Sequence, residues 1–126
     1  MSMDIIADAL NQIKNAKKAK KEKLVIRKSS KFLLKIFEIM EKEKYLESYK
    51  YNLENNSVEV ILGSVSECKA IKPRHYVKKD EILKYVKRYL PARDLGIIVL
   101  STNKGVMTHE EAIEREIGGS LIAYFY

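Results

Sequence analysis

Ile97-Ile98-Val99-Leu100-Ser101-Thr102-Asn103-Lys104-Gly105-Val106-Met107-Thr108 decides how this chain is read. The unbroken aliphatic run at its start specifies a short strand covered on both faces. The polar residues that follow are expected to form a loop at the strand's end, presenting hydroxyls, an amide, an ammonium and a glycine together. Thr108 and Glu111 have capping-box spacing, so a short helix opens there and ends before Gly118-Gly119. Leu121 to Tyr126 then reads as a terminal strand. Gly96, Gly105, Gly118 and Gly119, four of the 5 glycines, lie in this last third of the chain, where backbone conformation is therefore most tightly specified.

Upstream of that stretch, Ala70-Ile71 and Tyr76-Val77 read as extended segments separated by Lys72-Pro73-Arg74. Asp80 is placed to cap a helix with Ile82, Tyr85, Val86 and Tyr89 on one face, stopped by Pro91. Gly63-Ser64-Val65-Ser66 is small and polar, without helical period, and marks the boundary between two domains. Before it, residues 3 to 16 carry Ile6, Leu10 and Ile13 at helical spacing, with Ile5 and Ala9 widening the stripe. Leu24-Val25-Ile26 is a short strand. Ser29 or Ser30 caps a second helix with Leu33, Ile36, Phe37 and Met40 as its buried stripe. Tyr49, Tyr51 and Leu53, then Val58, Val60 and Leu62, alternate with other residues on either side of Asn55-Asn56-Ser57, which predicts a β-hairpin with one apolar face. The expectation is an α+β protein of two small packed α/β domains. Residues 1–64 form an N-terminal α-β-α-β-β domain; residues 65–126 form a C-terminal domain, mainly β with one to two helices.

A length of 126 residues and a hydrophobic fraction of 46% suit such a globular chain. No apolar run approaches the ~20 residues of a membrane span, and Met1-Ser2-Met3-Asp4 does not open a secretory signal. The sole cysteine, Cys68, fits a reducing cytoplasm and reads as an inert, half-buried thiol. The net charge is +7, and its distribution is uneven. Lys14, Lys17, Lys18, Lys20, Lys21, Lys23, Arg27, Lys28 and Lys31 stand against Glu22 alone; a second basic run, Lys69 to Arg93, contains only Asp80 and Glu81 as acids. Segregation of this kind makes a basic face suited to a polyanion. Lys72 and Arg74 are the electrostatic candidates in the second run. The first lysine cluster joins two elements and is not one face of an amphipathic helix, which argues against a membrane surface.

Enzymatic readings find little support. Neither GxxxxGK[ST] nor GxGxxG occurs. His75 and His109 lack a companion at metal-ligand spacing, so neither a metal nor another cofactor is expected. His109, beside Glu110 and Glu111, reads as a surface or capping residue of a helix's first turn. Ser101 has no local base to make it a nucleophile. Hydrogen bonding and charge remain. Lysines and arginines neutralise phosphates, while seryl, threonyl and asparaginyl groups reach 2′-hydroxyls and base edges of irregular RNA. Without an RNP-type aromatic motif or a Gly-x-x-Gly clamp, recognition of folded RNA suits the chain better than reading a linear sequence.

Ser101 to Thr108, then Glu111-Ala112 and Gly118-Gly119, resemble the C-terminal signature of the small-subunit ribosomal protein eight family: Ser-Thr-Ser-x-Gly-Val/Ile-Met, a helix, and a Gly-Gly strand. Leu90-Pro91-Ala92-Arg93-Asp94-Leu95-Gly96-Ile97, Ile71-Lys72-Pro73-Arg74 and the terminal Ala123-Tyr124-Phe125-Tyr126 look like its archaeal and eukaryotic branch. Ala7-Asp8-Ala9-Leu10, Ile13, Asn15 and Ser29-Ser30-Lys31 are similar to its N-terminal pattern. The resemblance implies a non-enzymatic constituent of the small ribosomal subunit that binds a helix in the central domain of the rRNA and supports assembly. It would work in the cytoplasm beside neighbouring ribosomal proteins, with no small-molecule substrate. By the same resemblance Ser101, Thr102, Asn103 and Gly105 contact RNA, with Lys104 in the same loop, and Ser30 and Lys31 contribute from the N-terminal domain. Three positions depart from the family: Asn103 replaces a serine, Ile5 a proline, and Ser120 follows Gly118-Gly119 where bacterial members carry glutamate. The alternative is a free-standing basic regulator of messenger RNA. A nucleotide-handling enzyme using the Ser101–Gly105 loop is the third class.

Overall fold

The structure, a computed structural model, describes residues 5–72, 74–92 and 95–126. The chain divides into two compact units, Met1–Cys68 and Lys69–Tyr126. The mixture of helices and antiparallel sheets is the α+β class expected.

The first unit runs α1 (Ile5–Lys18), β1 (Lys23–Ile26), α2 (Lys31–Lys42), β2 (Leu46–Asn52) and β3 (Ser57–Leu62). Its sheet has the order β1-β3-β2, antiparallel throughout. α1 extends two residues beyond the expected end at 16, and the expected residues 3 and 4 lie outside the described ones. α2 forms where the apolar spacing placed it. Ser30 is its N-cap, the side-chain oxygen accepting from the Leu33 N–H at 3.1 Å. Leu33, Ile36, Phe37 and Met40 are fully buried, each contributing roughly 1.5–3 kcal/mol of hydrophobic stabilisation. Val58, Val60 and Leu62 fill the buried face of β3. Leu53, expected in the hairpin's apolar face, is 81% exposed. β2 ends at Asn52, whose Oδ1 accepts from the Glu54 N–H at 3.0 Å and turns the chain one residue before Leu53 can join the ladder.

All three of the helices α1, α2 and α4 (His109–Glu114) end without glycine. Lys20, Lys44 and Glu116 each adopt positive φ just past the helix end. The bonds Lys21 N–H to Ala16 O (2.9 Å), Tyr45 N–H to Met40 O (2.8 Å) and Ile117 N–H to Ala112 O (3.0 Å) close the six-to-one ring of a Schellman motif.

The second unit holds a sheet of order β4-β8-β6-β7, with β5 also paired to β8. Its strands are β4 (Cys68–Ala70), β5 (Tyr76–Val77), β6 (Ile97–Thr102), β7 (Gly105–Thr108) and β8 (Gly119–Phe125). α3 (Ile82–Tyr89) buries Ile82 and Val86 in a core with Ile98, Leu100 and Leu121. Asp80 does not cap α3. It sits within a 3-10 turn, Lys79–Glu81, which precedes the helix, and it is Glu81 whose carboxylate accepts the Lys78 N–H at 3.0 Å. Thr108 caps α4 as expected, accepting from the Glu111 N–H at 3.1 Å.

Two polar residues are more deeply buried than their sequence context suggests. His109 is 4% exposed, not a surface residue. Its Nδ1 accepts the Ile98 N–H at 3.1 Å, and burial holds its pKa below the ordinary imidazole value. Cys68, expected half-buried, is 1% exposed and donates to the Leu10 carbonyl at 3.2 Å. Burial, with the Glu67 charge nearby, pushes this thiol up to about 12.

Candidate nucleic-acid interface

The polar segment after Leu100 is a β-hairpin rather than a loop. Ser101 and Thr102 finish β6, Gly105 to Thr108 forms β7, and the register Thr102↔Gly105 leaves Asn103-Lys104 as a two-residue turn. Gly105, at φ +111, supplies the backbone geometry a side chain resists. Thr102 locks the turn: its Oγ1 donates to the Gly105 carbonyl at 2.8 Å and accepts the Lys104 N–H at 3.0 Å. Asn103, Lys104 and Gly105 are exposed at the tip.

Pairing across the sheet builds the rest. β8 lies between β5 and β6, with Ser120 opposite Ser101 on one side and Tyr76 on the other. Val106 faces Ser101 from β7. Directly opposed residues point to the same face, so Tyr76, Ser120, Ser101 and Val106 form one row, half-buried except for Tyr76 at 67% exposure. The Ser101 hydroxyl makes no hydrogen bond with another described residue. Gly118 and Gly119 make this row attainable. A Cβ on Gly118 would collide with the Val77 carbonyl oxygen, and one on Gly119 would stand 2.6 Å from the Ser101 carbonyl and 2.7 Å from Thr102 Cγ2.

A cleft of about 600 Å³ opens along this side of the sheet. Ser101, Thr102 and Asn103 line it together with Tyr76, Lys78 and Lys79, while Asp80 and Glu116 contribute acids. Tyr76, Ser120, Lys78 and Lys79 were not singled out as site residues from sequence. The lysines belong to the second basic run, but only the long-range pairing of β5 with β8 puts them beside Ser101, and no local pattern announces that pairing. Lys72 and Arg74 are exposed on the β4–β5 connection and do not line the cleft. Pro73 between them, like Arg93 and Asp94, lies outside the described residues. In the first unit, the Ser30 side-chain oxygen already caps α2 and Lys31, next to it, is exposed.

Catalytic chemistry has no assembled group here. The His109 Nδ1 lone pair is taken by the Ile98 amide, and Ser101 hydrogen-bonds to no base among the described residues. No cluster of His, Cys, Asp or Glu among the described residues could hold a metal ion, and no helix among them is long and apolar enough to cross a membrane.

A hydroxyl-bearing row stands beside an exposed tyrosine ring and two lysines on a chain of net charge +7, a set of groups suited to RNA. Comparison with known proteins agrees. Residues 4–126 match the family described as Ribosomal protein S8. The chain is also 38% identical over 127 aligned positions to the small ribosomal subunit protein uS8 of Caldivirga maquilingensis, covering 98% of each chain. It therefore belongs to the ribosomal protein S8 family, whose members are structural RNA-binding proteins and not enzymes.

Proposed function

We propose that the chain is a structural constituent of the small ribosomal subunit that binds the central domain of small-subunit rRNA directly and supports its assembly. The observation that carries this reading is the row Tyr76-Ser120-Ser101 beside the Asn103-Lys104 turn, where open hydroxyls and an exposed aromatic ring meet Lys78 and Lys79. Ser101 and Asn103 hydrogen-bond the irregular RNA, and Thr102 and Gly105 hold the turn that presents them. Tyr76 offers a stacking face to an unpaired base, and Lys104, Lys78 and Lys79 neutralise phosphates. Ser30 and Lys31 add a second contact from the first unit, with Lys72 and Arg74 contributing charge. In this reading residues 1–64 are an N-terminal α/β domain and residues 65–126 the RNA-binding domain. The protein acts on cytoplasmic ribosomes alongside neighbouring small-subunit proteins.

Filter binding to a central-domain rRNA fragment, against an unrelated duplex of equal length, tests the reading. Tight binding to the fragment is expected, with Ser101→Ala weakening it by about 1–3 kcal/mol, the range for losing a hydrogen bond from a buried polar group. Sucrose-gradient fractionation separates the alternative: absence from small subunits at moderate salt, with messenger-RNA binding retained, would favour a free-standing regulator.

A further inference from the structure

The RNA cleft is not uniformly basic. Asp80 and Glu116 line it together with Lys78 and Lys79, and among the described residues neither carboxylate forms an ion pair. A carboxylate repels phosphate, so an RNA backbone keeps to the lysines and leaves each acid facing something else. The donors an RNA strand offers are its 2′-hydroxyls and the amino and ring N–H groups of unpaired bases. Asp80 directly follows Lys78 and Lys79, which line the cleft beside it and offset its charge. Glu116 differs, because Arg115, its basic neighbour in the chain, does not line the cleft.

Position selects among the donors. Glu116 is exposed in the left-handed turn that follows α4, at φ +56. Two residues on, a Cβ on Gly118 would stand 3.1 Å from the Tyr76 hydroxyl oxygen. The hydroxyl end of the Tyr76 ring therefore lies beside the segment that carries Glu116. A base stacked on that ring presents an edge toward the same segment. An ionised carboxylate is a pair of acceptors with no donor, and its complement is a base edge with two adjacent donors. Unpaired guanine has that edge in N1–H and the N2 amino group, whereas adenine, cytosine and uracil set an acceptor beside their donor.

We propose that Glu116 is a specificity-determining residue of the cleft, its carboxylate accepting from both N1–H and the N2 amino group of an unpaired guanine stacked on Tyr76. The proposal rests on the rRNA-binding reading and adds the base that the cleft selects.

A double-mutant cycle by filter binding tests it. The full chain and its Glu116→Ala variant are titrated with the central-domain rRNA fragment and with an unrelated duplex of equal length. Further fragments carry inosine, which keeps N1–H and lacks the N2 amino group, in place of each unpaired guanosine in turn. At one position inosine should weaken binding of the native chain by about tenfold and leave the Glu116→Ala variant unchanged within about twofold. Glu116→Ala should itself lose about tenfold on the unmodified fragment and bind the duplex no less well, one negative charge having gone. Glu114→Ala removes an exposed acid outside the cleft and should lower affinity for neither RNA. Melting curves confirm folding; should Glu116→Ala fail to fold, Glu116→Gln, which turns one acceptor into a donor, takes its place with the same expected result. Affinity for the fragment that rises on Glu116→Ala, inosine costs that are equal in both chains, or no costly inosine would each overturn the proposal. Failure of the native chain to prefer the fragment to the duplex would instead defeat the functional reading itself.

Discussion

Gly119 and Ser101 approach so closely that the backbone of β8 rests on the backbone of β6: a Cβ at position 119 would stand 2.6 Å from the Ser101 carbonyl oxygen. Backbone oxygen cannot yield as a flexible side chain would. Gly119→Ala is therefore expected to destabilise the fold by about 1–3 kcal/mol, the usual range for overpacking. RNA affinity should fall with it, because the same shift moves Ser101 and Ser120 off their common row. Urea unfolding beside filter binding gives both numbers; an unchanged midpoint would show that the strands separate freely.

That contact also shows where sequence reading stops. Period and capping were enough for α2, where Ser30 caps and Leu33, Ile36, Phe37 and Met40 are buried as their spacing required. They were enough for Thr108 and Glu111, and for the fully covered run Ile97–Leu100. Local pattern failed where a distant strand decides. Ser101-Thr102 and Gly105-Val106 read as loop because Asn103-Lys104 is not a common turn pair, yet Thr102's two hydrogen bonds close the hairpin. His109 looks like a surface residue of a helix's first turn until β6 covers it. Tyr76, Lys78 and Lys79 join the site only through the pairing of β5 with β8.

The helix ends were hidden for a different reason, since Lys20, Lys44 and Glu116 occupy positions that usually advertise themselves with glycine. Holding an L-residue in the left-handed region costs roughly 1–2 kcal/mol, against about 0.5–1 for glycine's greater unfolded-state freedom. Lys44→Gly is thus expected to stabilise the chain by up to about 1 kcal/mol. Lys44, like Lys20, is exposed and outside the cleft, whereas Glu116 lines it; Lys44 also stands apart from the first lysine cluster. A lower thermal midpoint for the variant would contradict the strain argument.

His109 makes stability depend on pH in a defined direction. Its folded pKa lies below the ordinary 6.5, chiefly because burial penalises the charged ring. Above that ordinary value the ring is neutral in both folded and unfolded chains, and nothing is lost. As pH falls through it, the unfolded chain takes up a proton that the folded one refuses, so stability declines by up to about 1.4 kcal/mol per pH unit until the folded pKa is reached. His109→Asn keeps an acceptor near the Ile98 N–H and removes the titration. Denaturant midpoints from about pH 7 to about pH 5, the range just above carboxylate titration, should slope in the native protein and flatten in the variant. Parallel slopes would assign the effect elsewhere.

Cys68 should be chemically silent while the chain is folded. With the thiol pushed up to about 12, the thiolate fraction near pH 8 is on the order of one in ten thousand, and the thiolate is the reactive form. Its 1% exposure closes the approach as well. A thiol reagent should titrate no cysteine in buffer and the chain's 1 cysteine in denaturant. Rapid labelling of the native protein would mean that β4 opens readily.

Affinity should divide between hydroxyls and ammoniums, and salt separates the two. Each phosphate neutralised by a lysine adds about 0.7–0.9 to the slope of log affinity against log salt, whereas a neutral hydrogen bond adds nothing. Ser101→Ala should lower affinity for the rRNA fragment and leave the slope alone. Lys31→Ala and Lys79→Ala should weaken binding to all RNAs and flatten the slope by about one unit or less. Thr102→Val adds a third signature. Its hydroxyl is spent on Gly105 and Lys104, so the variant should lose stability, about 1 kcal/mol per hydrogen bond, and lose affinity only because the turn no longer presents Asn103. Ser101→Ala, whose hydroxyl has no described partner within the chain, should leave stability unchanged within about 0.5 kcal/mol. Equal slope changes for Ser101→Ala and Lys79→Ala, or equal stability losses for Ser101→Ala and Thr102→Val, would mean that the hairpin's hydroxyls do not divide into one that holds the turn and one that faces the RNA.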